Sequence, residues 1–73
     1  MNTRLEIEAR LISRLERSNY VAPEDLASHD DELHFAMYVI YDADMCRVTG
    51  FGKSLFAPSQ KTLDWVLERK ANV

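Results

Sequence analysis

The side chains of this sequence best suited to metal or nucleophilic chemistry are His29, His34 and Cys46, with Asp30 and Asp31 beside the first. Structural zinc takes about four ligands at short, characteristic spacings. A His-x4-His pair with one distant cysteine does not supply that pattern, so no metal is expected. A nucleophilic site needs a nucleophile, a base and a group that orients the base. Cys46 could pair with a histidine, but no activated turn surrounds it, and an enzyme reading would rest on Cys46 alone. The carboxylates Asp30, Asp31 and Glu32 fall in an exposed polar stretch, where nothing raises a pKa enough to make a general acid. Gly50-Phe51-Gly52-Lys53-Ser54 ends in Lys-Ser but lacks the glycine spacing and the βα unit of a phosphate-binding loop. The expectation is a non-enzymatic chain without a cofactor.

Recognition is better served. Arg10, Arg14 and Arg17 form a ridge on one helical face, and arginine suits interfaces through its planar, weakly hydrated fork. Trp65 falls about 200° round a helix from Leu63, off the stripe expected to be buried. It is either a binding hot spot or a ring folded over a sheet edge as core. Tyr38 and Ile40, with His34, share one face of a predicted strand, and an apolar sheet face left open marks a partner. These six residues, Arg10, Arg14, Arg17, Tyr38, Ile40 and Trp65, are the candidate protein-binding set.

The elements that must position them are readable from periodicity. Residues 3–18 predict a helix, opened by a Thr3/Glu6 capping box. Its apolar arc is Leu5, Ile7, Ala9, Leu11, Ile12 and Leu15, with Glu6, Arg10, Arg14 and Arg17 opposite. Residues 23–28 predict a short helix or turn, started by Pro23 with Glu24 and Asp25 in the first turn. Residues 33–41, LHFAMYVIY, predict the main strand because aromatic and β-branched residues dominate. Asp42-Ala43-Asp44 is then a hairpin loop, 45–49 a return strand, Gly50–Gly52 a turn and 54–56 a short third strand. A last helix should run from an N-cap at Ser59 to about Lys70, burying Leu63, Val66 and Leu67. The predicted fold is α+β: helix, short helix or turn, antiparallel hairpin or three-strand meander, helix. Both long helices would cover one face of the sheet.

The chain has 73 residues, 47% of them apolar and 29% charged. That is one domain, 1–73, too apolar for disorder. A lone cysteine forms no internal disulfide, the N-terminus has no apolar signal core, and the longest apolar run is far short of a bilayer span. A cytoplasmic protein away from membranes is expected. Charge falls in blocks: +1 over residues 4–17, −7 over 24–44 and +3 over 45–70. The acidic middle argues against direct sequence-specific binding of nucleic acid, which needs a basic face. It allows instead an acidic, phosphate-mimicking surface built from Asp30, Asp31, Asp42 and Asp44, suited to inhibiting a nuclease or defence complex.

From MNTRLEIEARL through HFAMYVIYDADMCRV to TLDWVLERK, the chain resembles, in length and character, the small phage-encoded regulators of bacterial RNA polymerase, of the kind made by a Xanthomonas phage. The resemblance implies binding to the N-terminal part of the largest polymerase subunit. It implies inhibition of transcription initiation and suppression of termination.

Overall fold

The computed structural model describes residues 3–48, 52 and 54–71. Along them run α1 (Thr3–Leu15), a 3₁₀ turn at Pro23–Asp25, another at Asp30–Glu32, α2 (Leu33–Asp42), β1 (Cys46–Val48), β2 (Leu55–Ala57) and α3 (Gln60–Ala71). The class is α+β, with a helix near each end and one antiparallel hairpin.

α1 forms where its periodicity places it, although it ends at Leu15 rather than at residue 18. The Arg17 and Ser18 amides both return to the Arg14 carbonyl at 3.0 Å, which closes the last turn. Ile7 and Leu11 are fully buried, and Ile12 and Leu15 pack against the core. Leu5 and Ala9, on the edge of the apolar arc, stay exposed.

The segment 33–41 is not a strand. It is the helix α2, and its buried residues show why. Ala36, Val39, Ile40 and the C-cap Ala43 stand at i, i+3, i+4 and i+7, one face of a helix, and all four are fully buried. A short, continuously apolar run fits a buried helix as well as a strand, so burial decides. Asp30, Asp31 and Glu32, expected to be a plain connection, lie at the positive N-terminal end of α2, where carboxylates are favourable. The other end is a Schellman stop rather than a hairpin loop. The Asp44 amide donates to Tyr41 O at 3.0 Å, and the Met45 amide donates to Ile40 O at 3.2 Å. Asp44 supplies the left-handed residue this stop requires, with φ of 58°. Met45 then tucks into the core over the turn it closes.

The hairpin is made by the second and third predicted strands. Cys46 pairs with Ala57, Arg47 with Phe56 and Val48 with Leu55. Gly52, at φ of 67°, lies in the predicted turn; Thr49, Gly50, Phe51 and Lys53 lie outside the described residues. Val21 extends the pairing on the far side of β2, exchanging both backbone bonds with Phe56 at 2.9 and 2.8 Å. Three-residue strands cannot form a layer for two helices to cover, as the sequence had suggested. They deliver Phe56 to a core shared by α1, α2 and α3.

α3 starts at the predicted cap. Ser59 Oγ accepts the Thr62 amide at 3.2 Å, and Thr62 Oγ1 accepts the Ser59 amide at 3.0 Å. Ser59 Oγ also donates to Asp44 O at 2.7 Å, which leaves the Thr62 hydroxyl to donate back to Ser59 across 3.2 Å. The fully buried Thr62 is thereby satisfied, and the start of α3 is tied to the end of α2. The buried face is not the predicted one. Leu63 and Leu67 are 50% and 64% exposed, whereas Thr62 and Trp65 are buried and Val66 packs beside them.

Trp65 is therefore core, at 7% exposure, which settles its two sequence readings against a free hot spot. Truncation to alanine removes an indole from a small core and should cost about 3–5 kcal/mol, comparable to the whole stability expected of such a chain. Thermal denaturation followed by circular dichroism should lose its cooperative transition for Trp65→Ala.

Candidate protein-binding surface

The arginine ridge of α1 is only partly free. Arg10 Nη1 donates to Leu26 O at 2.9 Å and to Glu32 Oε1 at 3.2 Å. This bond pins the connection between α1 and α2 onto α1. Arg14 Nη2 approaches Asp25 Oδ2 at 3.6 Å, too long for a hydrogen bond, and that oxygen already accepts the Ala22 amide at 2.9 Å. Arg14 Nε is buried without a hydrogen-bond partner. Arg17 stands just beyond the helix, exposed, its side chain without a partner among the described residues. Arg10, Arg14 and Arg17, with Ala9, Ser13 and Asp25, line a cleft of about 330 Å³.

Tyr38 is 63% exposed, but Ile40, its expected neighbour on a strand face, is completely buried. Two residues lie about 200° apart on a helix, so one faces water and the other the core. The residue that shares the outer face with Tyr38 is Tyr41, 64% exposed, which sequence reasoning missed. His34 completes the row one turn before Tyr38, its ring 6.4 Å from the tyrosine ring in an edge-on arrangement. Tyr41 meets Phe56 edge-on at 6.3 Å. The signal was present: had 33–42 been read at helical period, Tyr38 and Tyr41 would have fallen on one side at i, i+3. Leu63 and Leu67, a turn apart on α3, form a second exposed apolar pair that the expected stripe concealed.

Trp65 sits inside a polar junction of three helices. Its Nε1–H donates to Asp42 Oδ2 at 3.0 Å. Arg69 lies over the indole at 3.9 Å from the ring centroid. Arg69 Nε donates to Glu8 Oε1 at 2.8 Å, and Nη2 donates to Asp42 Oδ2 at 3.2 Å. Arg4 adds ion pairs to Glu8 and Asp42 at 3.6 and 3.5 Å.

The four acids proposed as a phosphate mimic do not meet. Asp30 and Asp31 precede α2, whereas Asp42 and Asp44 end it, about 15 Å away along ten residues. Asp42 is also engaged by Arg4, Trp65 and Arg69. Cys46 is exposed, as are His29 and His34. Among the described residues no three of His, Cys, Asp or Glu gather so as to hold a metal ion, and no helix is long and apolar enough to cross a membrane. Comparison with protein-family models, with curated proteins and with solved structures finds no match to this chain.

Glu32 is held below the usual carboxylate range. The Ser28 amide, donating to Oε1 at 2.8 Å, is the main cause; Arg10 and His29 add to it, while desolvation opposes. A carboxylate whose pKa is lowered by folding stabilises the fold above its unfolded value, about 4.3. That contribution is lost as pH falls through the lower folded value. Glu32→Gln should therefore be less stable than the parent at pH 7, and the gap should close as urea unfolding is repeated below about pH 4.

Proposed function

We propose that this chain is a non-enzymatic, protein-binding regulator whose target is bacterial RNA polymerase, acting in the bacterial host cytoplasm to inhibit initiation and suppress termination. The observation that carries the binding reading is the outer face of α2, where Tyr38 and Tyr41 stand in solvent while Ala36, Val39 and Ile40 lock the same helix into the core. Tyrosine is enriched at protein interfaces because it offers apolar area and a hydrogen-bonding tip at low entropic cost. A rigid helix holding two such rings loses little further freedom on binding.

The choice of polymerase, and of the N-terminal part of its largest subunit, is supported by the resemblance of the whole chain to phage-encoded polymerase regulators. A compact binder needs no cofactor for that role. Blocking a surface or stabilising one state of a large enzyme requires only affinity that differs between states.

The tagged protein should capture RNA polymerase from a bacterial lysate, and the purified pair should bind in calorimetry. Tyr38→Ala combined with Tyr41→Ala should weaken that binding by about tenfold or more while thermal unfolding stays cooperative, its midpoint lowered by roughly 2–12 °C through loss of the Tyr41–Phe56 edge contact. Absence of binding to purified polymerase would remove the target; binding untouched by the double variant would remove the face.

A further inference from the structure

We infer that the arginine cleft of α1 is a docking site for a carboxylate-bearing acidic segment of a partner protein. The inference rests on the protein-binding reading but not on which protein is bound.

The cleft holds more donors than the chain itself uses. Arg10 has committed Nη1 to Leu26 and Glu32, and that anchor fixes one wall. Arg14 has only a 3.6 Å approach to Asp25, whose oxygen is already occupied by the Ala22 amide. Its Nε is buried without an acceptor, so the donors it can offer a partner are those of the part-exposed Nη end. Arg17, which also lines the cleft, is unpartnered among the described residues. A guanidinium presents its donors as a planar fork that matches the two oxygens of a carboxylate. Two such forks, one part-buried and positioned by the helix, leave room for acidic side chains entering the cleft of about 330 Å³.

The charge count selects a short acidic segment over a nucleic acid. Three arginines, set against Asp25 and the Glu32 carboxylate that Arg10 grips, leave the cleft a local charge of +1. The whole chain carries −3. A polyanion gains affinity by touching many cations along its length, and the rest of a chain with net charge −3 repels it. One or two carboxylates stop inside the cleft.

The test uses the full-length ¹⁵N-labelled protein at low salt, titrated with a blocked peptide of sequence Glu-Glu-Leu-Glu-Glu and, separately, with a thymidine decamer. The peptide should shift the Arg14 and Arg17 Nε–H signals and the amides of the second half of α1. Arg17→Glu, whose parent side chain holds nothing in the fold, should keep the parent melting temperature and weaken the peptide about tenfold or more. The decamer should bind more weakly than the peptide. No peptide-dependent shift in these signals, a shift that survives Arg17→Glu, or tighter binding of the decamer would each overturn the inference. The titration contains no polymerase, so its failure and a failure of polymerase capture are separate results.

Discussion

Three helices of this chain meet at one carboxylate. Asp42, the last residue of α2, accepts the Trp65 indole N–H and one Arg69 nitrogen from α3, and faces Arg4 of α1. Arg69 reaches on to Glu8 of α1 and covers the indole. A buried indole N–H without an acceptor costs about 1–3 kcal/mol, and a bond to an ionised acceptor is stronger than a neutral one. Isolated ion pairs at a surface contribute little. Here they share groups and geometry with a buried tryptophan, so each partner is already ordered by the others. The junction explains why a helix with two outward leucines still docks. Its anchoring face is Thr62, Trp65 and Arg69, held by a cap at one end and this junction at the other.

The positions of most elements were legible, because caps, charge and turn residues act locally. Thr3 to Leu15 has unbroken helical periodicity. Ser59 and Thr62 satisfy each other's amides, and the glycines around Phe51 separate two short β segments. What was not legible depended on tertiary contact. In LHFAMYVIY nearly every residue is apolar, so neither period stands out, and aromatic and β-branched content favoured a strand. The core on the α1 side accepts Ala36, Val39, Ile40 and Ala43 at helical spacing, and that burial outweighs propensity. The acids at 30–32 were the neglected clue, since three carboxylates before an apolar run are a helix start as much as a loop.

The misjudged face of α3 has a related cause. Counting apolar residues favours Leu63, Val66 and Leu67 over a stripe containing Thr62 and Arg69. A count ignores that threonine can be satisfied by a cap and arginine by two carboxylates and a ring. Once Thr62 and Arg69 are satisfied, burying the larger indole is the better solution, and the leucines are left outside. Of the candidate residues, Tyr38 and Arg17 stay free, Arg14 half so, and Arg10 is tied into the fold. Ile40 and Trp65 belong to the core. Tyr41 could not be found without the helical period of α2.

The same assignment of α2 decides what kind of surface the molecule offers. A tyrosine on an edge strand would move with a small, marginal sheet. On α2 it rides on a helix whose opposite face is fixed by four fully buried residues and whose ends are fixed by acids at one side and a Schellman stop at the other. Binding strength at a small interface is limited by the freedom lost on docking as much as by the area gained. A rigid helix with two projecting rings minimises that loss. In the arginine cleft only one fork is fixed in this way: Arg10 is immobilised by Leu26 and Glu32, whereas Arg17 stands free in solvent and would give up rotamer freedom on meeting an acid.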